Sequence, residues 1–588
     1  MEMNYNPSVI NVICKAFSAV AGLMLPIYIG AQDFNPTVEV SRQYKGSLVE
    51  VHKPAMDMAL PDSVEKFNLQ FDYSVFDNPY KGSYEFKPYL LNMNLDQAGY
   101  QGRKFYLKAG AGYSLHPTMD LVWTPVSGEK FRMSLYASHN SYIGRYRTLG
   151  LSEPRPSDSR LVLDRVKDKT YRGHDLLSKA GISGEFDWKK GDLFFDASYY
   201  GVAAKDTLMK KGYDAFDFKF GLASKFDTLG HFVYDIRAHY RYGEEKIVKG
   251  LPDNLYLTEH VFDMNARLGY SAGGRHSGLL DVSYNLAQYG AAFDNSSGCL
   301  SFVPRYIYDH GRWQVDFGIK LAFLLRNDGH AATEEMYGQK GQIIYPDVNV
   351  AFTAVKGHLD IYAKVSGGPQ LNTYSSLLGS NHHISPLYNP SGMPLLNFSE
   401  ESIGAALGLR GSIASRFGFD LSAGYSSYAS LPLESIYSFD GTKYTPVIGY
   451  VPAQLYWANL DYNVTTSSFD LMGRFRVQGT DRVVPYFSLP SFSGFIDARY
   501  NWKRRIFVGV DCDFALARRG GVIVAESQEF RPVIVPGYAD LGVYFEFAFN
   551  RKFSLWARGG NLLDMTIQRN LLYSESGINF TAGILLNL

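Results

Sequence analysis

Cysteine is nearly absent, with three in 588 residues. Cys14 falls within the N-terminal 31 residues, so only Cys299 and Cys512 remain for the rest of the chain. Two thiols cannot form a disulfide framework, and the fold must be held by burial and hydrogen bonding. An excess of charge of either sign is missing too. Lys plus Arg and Asp plus Glu are 58 each, so the net charge is zero. That balance argues against a nucleic-acid binder. No apolar run beyond residue 31 is long enough for a membrane-crossing helix, which excludes a bundle of such helices.

The one long apolar stretch is Ala16–Ala31, preceded by Lys15 and closed by the small residues Gly30-Ala31. A charged start, an apolar centre and a small-residue exit are the parts of a secretory signal peptide, expected over residues 1–31 and removed on export. An uncleaved N-terminal anchor is the alternative. Cys14 lies inside the expected signal, before the run and not at its exit, which does not suit a lipoprotein.

What the chain has in quantity is Tyr (43), Phe (39) and Gly (56). Aromatic residues favour strands over helices. From residue 103 to the end, apolar side chains recur at every second position. Phe232, Tyr234, Ile236, Ala238 and Tyr240 alternate with Val233, Asp235, Arg237 and His239. Trp313, Val315, Phe317, Ile319 and Leu321 alternate with Gln314, Asp316, Gly318 and Lys320. Period two is the strand signature, and no helical period is sustained after the signal. Counting such segments gives about 22 strands, with 20 to 24 as the range.

The connections alternate in length. One set is tight: Ser127–Lys130, Lys189–Asp192, Asp227–Gly230, Ala272–Arg275, Asp309–Arg312, Val355–His358, Ile413–Arg416, Trp502–Arg505 and Phe549–Lys552. The intervening set is longer, greatest near 144–175, 366–398, 427–452, 516–533 and 560–576. Short turns on one side and long loops on the other are the pattern of a bacterial outer-membrane barrel. A propeller or tandem sandwich would also show one apolar face per strand. Even repetition over the whole length, the loop rhythm and the aromatic content favour the barrel, whose closure satisfies every backbone group in lipid. The expected fold is all-β: a single large antiparallel transmembrane β-barrel with a short N-terminal extension.

In the last segment Ile578, Phe580, Ala582, Ile584, Leu586 and Leu588 form an apolar face. Gly583-x-x-Leu586-x-Leu588 resembles the C-terminal signal of outer-membrane barrels, with Leu588 where an aromatic is common. Arg558-Gly-Gly-Asn-Leu-Leu-Asp564 resembles the Asn-Leu-Phe-Asp stretch near the end of TonB-dependent receptors, with Leu563 in place of Phe. Residues 103–588 thus resemble the barrel of a TonB-dependent receptor of a Gram-negative bacterium. The Tyr and Asn content and the Gln32-Asp33 start resemble Bacteroidota proteins. The resemblance implies an outer-membrane location and ligand uptake through a lumen closed by a plug. The chain departs from it, since residues 32–102 are too few for such a plug. Pro36–Val40 resembles a TonB box only faintly, so coupling to TonB is in doubt. Phe67, Leu69, Phe71, Tyr73 and Val75 form either an extra strand or, with Tyr84–Leu91, a reduced plug.

The polar face of the strands carries both signs: Asp235, Arg237, His239, Arg241, Asp263, Arg267, Asp316, Lys320, Arg474, Arg476, Asp511, Asp513 and Glu546. It reads either as a lumen that binds a polar solute or as a wet wall of mutually paired charges. Without a one-sign arginine ladder, a dedicated anion pore is not indicated. His382-His383 in the 366–398 loop lacks further ligands, so no metal or cofactor is expected. Lys503-Arg504-Arg505 reads as an interfacial anchor. The loops 366–398, with Tyr374, Leu377, Leu378 and Tyr388, and 427–452 either bind a partner or glycan or fold over the barrel mouth. No Gly-x-Ser-x-Gly, His-Glu-x-x-His or phosphate-binding glycine loop occurs, and an enzyme is not expected. Two functions fit: a receptor-type transporter for a polar ligand, or a scaffold subunit of an outer-membrane assembly, secretion or lipoprotein-export complex. The partners expected are outer-membrane lipid and a surface lipoprotein or other complex subunits, with no nucleic acid.

Overall fold

The computed structural model describes residues 104–588 except 114–115, 153–159, 208–209, 225–231, 250–255, 273–274, 326–342, 388–395, 414–415, 439–443, 482–485 and 525–528. The expected signal peptide (1–31), the extension (32–102) with its Pro36–Val40, Phe67–Val75 and Tyr84–Leu91 segments, and the Asp227–Gly230 turn lie outside the described residues.

The described chain is almost entirely strand. In order come β1 (Phe105–Gly112), β2 (Thr118–Ser127), β3 (Phe131–Ser152), β4 (Leu161–Trp188), β5 (Gly191–Lys205) and β6 (Lys210–Ser224). They continue with β7 (Phe232–Lys249), β8 (Tyr256–Ala272), β9 (His276–Ala291), β10 (Asn295–His310), β11 (Trp313–Leu325) and β12 (Ile344–Val355). Next are β13 (Leu359–Leu371), the short helix α1 (Tyr374–Ser380), β14 (Phe398–Ile413), β15 (Phe417–Ser438), β16 (Tyr444–Thr465) and β17 (Phe469–Thr480). Last are β18 (Phe492–Trp502), β19 (Ile506–Ala515), β20 (Arg518–Val524), β21 (Glu529–Val535), β22 (Tyr538–Ala548), β23 (Phe553–Gly560) and β24 (Asn579–Asn587).

Each strand pairs antiparallel with its chain neighbour, and β19 pairs directly with β22, leaving the β20–β21 hairpin outside the ring. The remaining 22 strands close when β24 meets β1, with Leu107 opposite Leu586 and Gly112 opposite Thr581. The expected closing role of the last apolar segment is met. Closure removes both sheet edges, so the wall leaves no row of unpaired backbone groups.

The alternation decides which face is which. Phe216 is 63% exposed and Leu407 68% exposed, and Phe317, Ile319 and Phe580 also stand open on the outer face. A soluble sandwich would turn this face inward, and apolar exposure on this scale marks a surface meant for something other than water. The inner face is polar. It also accommodates rings across strands: a Cβ on Gly408 would stand 2.1 Å from the Tyr362 ring, whose hydroxyl donates to Asp420 at 2.7 Å. The short turns lie at one end, the turn end, and the long connections at the other, the loop end.

Two expectations are revised. The 516–533 connection holds β20 and most of β21, and residues 144–152, 161–175, 427–438 and 444–452 are not loop but the upper parts of β3, β4, β15 and β16, which run for 22, 28, 22 and 22 residues. About 10 residues cross a bilayer, so these strands project well past the apolar belt. There the lipid-facing alternation ends while the ladder continues: apolar residues such as Leu163, Leu431, Leu433, Ile436 and Val451 are buried at the loop end instead of standing open. The 466–468 turn between β16 and β17 also escaped notice. It has no Gly; Thr466 Oγ1 folds it by accepting from the Phe469 N–H at 2.9 Å.

Candidate functional site at the barrel mouth

The inward charges expected from sequence lie on the inner face, and they pair with one another. Arg237 bonds Asp235, Arg241 bonds Asp217 at 2.7 Å, and His239 sits between Asp217 and Asp263. Arg267 meets Asp281 at 2.6 Å, Arg474 meets Asp461 at 2.5 Å, and Arg558 meets Asp511 at 3.0 Å. Lys320 donates to the Gly367 carbonyl, Arg476 to Gln478, and the Tyr544 hydroxyl to Glu546. Asp316 and Asp513 pair with Arg305 and Arg569. This is the wet wall of matched charges. Sequence reading missed Arg305, whose guanidinium joins Asp281, Asp316 and Asp347 at 2.6–3.1 Å, spanning four strands. Its only sequence signal was its polar position in β10, between Pro304 and Tyr306.

The β13–β14 connection leaves the wall and packs against inner faces. Thr373 caps α1 by accepting from the Ser376 N–H. Tyr374, Leu377 and Leu378 on α1, with Ile384 and Leu396, are buried among Tyr200, Tyr213, Leu257 and Tyr289 of β5, β6, β8 and β9 and Ile448 and Tyr450 of β16. β16 lies half-way round the ring from β5. This connection therefore reaches across the mouth, fulfilling one of the two readings given for it.

A buried polar network pins it. Lys211 of β6 and Glu245 of β7 form an ion pair at 3.2 Å, both essentially inaccessible to solvent. The Tyr374 hydroxyl donates to Glu245 at 2.6 Å and receives from Lys211 at 3.0 Å. Lys211 also donates to the Ile384 carbonyl, and Ser385 to Glu245 at 2.8 Å. Glu259 of β8 accepts from the Tyr213 and Tyr289 hydroxyls and from the Ser375 N–H. Wall carboxylates and loop hydroxyls satisfy each other with little water, where an unmatched partner is costly.

Above this lies a roof. β21 pairs parallel with β4 (Val533 opposite Leu161), and β20 pairs parallel with β15 (Ile436 opposite Val522, Ser438 opposite Val524). β4 and β15 are half a ring apart. The β20–β21 hairpin thus bridges opposite walls in one continuous sheet, β3-β4-β21-β20-β15-β16. Beneath it Leu163, Ile436, Val522, Val533 and Leu571 form a fully buried apolar core. The seams are short: two residue pairs on one side and three on the other.

The Asn561-Leu-Leu-Asp564 stretch ties the last connection down. Asn561, at φ 46°, accepts from the Met565 N–H at 3.0 Å and donates to the Met565 and Ser576 carbonyls. Arg147 of β3 donates to the Asp564 and Met565 carbonyls and pairs with the Asp564 carboxylate. Leu563 is exposed and takes no part in the lashing. His382 and His383 point apart: His382 Nδ1 lies 2.7 Å from Asp175, while the His383 ring stacks on Tyr573 at 3.9 Å with Nδ1 3.8 Å from Asp206. Burial holds His383 well below the usual histidine range, at about 4. Among the described residues no cluster of three or more His, Cys, Asp or Glu is arranged to hold a metal.

No protein-family model matches the chain, and neither does any curated protein. Solved structures do. The FrpB iron transporter from Neisseria meningitidis (F3-3 variant) superposes with a TM-score of 0.59 at 9% identity, covering 83% of this chain and 82% of that one. The siderophore receptor PiuA from Acinetobacter baumannii gives 0.55 at 9%, covering 82% and 81%. P. aeruginosa FpvA, bound to heterologous pyoverdines, gives 0.56 at 10%, covering 83% and 72%. The chain shares their fold, a large closed antiparallel barrel.

Proposed function

We propose that the chain is an outer-membrane β-barrel of the TonB-dependent-receptor type, exported with loss of its signal peptide, that binds a polar ligand at its loop end and admits it. The observation that carries this reading is the mouth. A polar, ion-paired lumen lies beneath a roof held by two short parallel seams. The apolar outer belt supports a membrane-spanning wall, and the fold shared with iron and siderophore proteins supports uptake. In this reading residues 32–102 supply a reduced plug and the periplasmic contact, and a surface lipoprotein covers the loop end.

One observation favours the alternative, a scaffold barrel in an assembly, secretion or export complex. The roof joins opposite walls, so a barrel that never opens would look the same. A lock separates the two. Ser438 and Val524 are register partners; Ser438→Cys with Val524→Cys, in a Cys512→Ser background, bridges the seam under oxidation. A transporter gives current bursts in planar bilayers that vanish on oxidation and return with reductant. If the reduced protein is as silent as the oxidised one, and gentle extraction brings down assembly or secretion subunits at fixed stoichiometry, transport is wrong.

A further inference from the structure

The charge of this chain sums to zero, yet the described residues of its tight turns carry essentially one sign. Between the strand ends, Lys189-Lys190, Lys503-Arg504-Arg505 and Arg551-Lys552 fill three turns, and five others each carry one cation, as Arg312 and Lys356 do. Among the described turn residues the one acid is Glu129, and all these cations are exposed. Acids on the strand ends beside the turns pair there, as Glu185 and Asp187 do with Arg132 at 3.0 and 3.1 Å, and at the loop end Arg518 pairs with Glu434 at 2.9 Å and Arg569 with Asp540 at 3.1 Å.

Backbone geometry adds an independent argument. The Arg505 N–H bonds the Trp502 carbonyl at 3.1 Å, making a four-residue turn whose central residues, Lys503 and Arg504, have φ of 50° and 57°. Two left-handed positions in a row are where Asn-Gly fits, and a side chain with Cβ is disfavoured there by its clash with the backbone. The turn holds two cations against that local preference. The aromatic rings beside the cations face outward: Trp313 follows Arg312, Trp502 precedes Lys503, and Phe549 precedes Arg551, each about half exposed. The Lys503 ammonium lies 5.4 Å over the Trp502 ring.

We propose that the turn end is a docking surface for anionic phospholipid headgroups, selected over zwitterionic ones by this ring of lysines and arginines. It rests on the membrane-spanning reading above. The cations are spread over eight turns around the perimeter, three of them beside a half-exposed aromatic ring, which matches a flat sheet of phosphates surrounding the barrel. An acidic protein partner would call for a patch on one side. Each cation near such a surface adds to the attraction, which salt screens within a Debye length.

The test reconstitutes the full chain into nanodiscs of mixed phosphatidylcholine and phosphatidylglycerol and counts the lipids retained by native mass spectrometry. The wild type should retain phosphatidylglycerol preferentially, and raised salt should erase the preference. Substituting Lys503→Gln, Arg504→Gln, Arg505→Gln, Arg551→Gln and Lys552→Gln together should lower the ratio of anionic to zwitterionic lipid by about tenfold. Lys167→Gln with Lys169→Gln, exposed on the projecting part of β4, should leave it unchanged. Equal ratios in wild type and variant, or cations that instead hold an acidic soluble protein, would overturn the proposal alone. Failure of the folded barrel to enter the bilayer would overturn the membrane-spanning reading and the proposal with it.

Discussion

The two ends of this barrel are made from the same strands and obey different physics. At the turn end β-strands reverse within a few exposed residues that bury nothing. At the loop end the strands overshoot, acquire their own apolar core and close a buried ion-pair network over the lumen. One end is ordered by turn chemistry and by what surrounds it. The other behaves as a small water-soluble domain seated on a membrane wall. Substitutions at the loop end should therefore carry globular-protein penalties, and those at the turn end a fraction of them.

The largest effect is expected at the buried pair. Glu245→Ala strands the Lys211 ammonium and the Tyr374 hydroxyl without their shared acceptor, and breaking such a pair destabilises by about 3–5 kcal/mol. The barrel wall should survive, because the ladder does not depend on it. Hydrogen exchange should show residues 373–387 losing protection, and bilayer recordings should show a raised open probability. The double variant Lys211→Met with Glu245→Leu should restore much of the protection, since an apolar pair of similar volume replaces two desolvated charges. Unchanged exchange in Glu245→Ala would mean that the apolar contacts of Leu377 and Leu378 hold the loop by themselves.

Next in size is the roof core. Leu163→Ala removes a fully buried side chain at the seam between β4 and β21, a change of about 2–4 kcal/mol where the site cannot collapse. Hydrogen exchange of β20 and β21 (Arg518–Val524 and Glu529–Val535) should speed up while the heat-modifiable gel shift of the barrel stays as it was. Loss of the gel shift would show that roof and wall fold as one unit and would erase the contrast between the two ends.

Acid should loosen the loop end. His383 is held neutral by burial at about 4, below its usual value, facing Asp206 and Asp175 with Lys211, His382 and Tyr573 around it. The docked loop binds fewer protons than the undocked one between those two values. Docking stability is therefore complete above the ordinary histidine range and is lost as pH falls toward 4. Exchange protection of 380–387 should drop between pH 6.5 and 4.5 in the wild type and change much less in His383→Phe, which keeps the stack on Tyr573. An equal drop in both would assign the acid response to the neighbouring carboxylates.

How much of this was legible in the sequence follows from the same contrast. Strand number, the closing β24–β1 pair and the inward charges were all readable, because a wall between lipid and water imposes period two on every strand. The roof was not. Above the belt Lys167, Asp168, Lys169 and Thr170 are exposed one after another, so period two vanishes and β4 reads as a loop. Nor was the latch: Lys211, Glu245 and Glu259 sit in ordinary lumen register, and only tertiary folding brings Tyr374 and Ser375 to them. The Asn561–Asp564 motif was visible, but its work, the lashing of a loop by Arg147 more than four hundred residues away, was not.

The smallest expected effect separates stability from charge at the turn end. Lys503→Asn with Arg504→Gly gives the left-handed turn positions the residues that suit them, and relief there should stabilise the folded barrel by about 1 kcal/mol. A urea titration followed by tryptophan fluorescence in zwitterionic micelles should show the midpoint move up. The same variant lacks two cations of the ring, so in anionic bilayers its gain should shrink or reverse, and the difference between the two media measures what the headgroups contribute. A loop-end counterpart, Lys167→Gln with Lys169→Gln, should respond alike in both media. If the turn variant also gains equally in both, the cations at 503 and 504 have no electrostatic role at that surface, and the asymmetry between the ends is one of turn geometry alone.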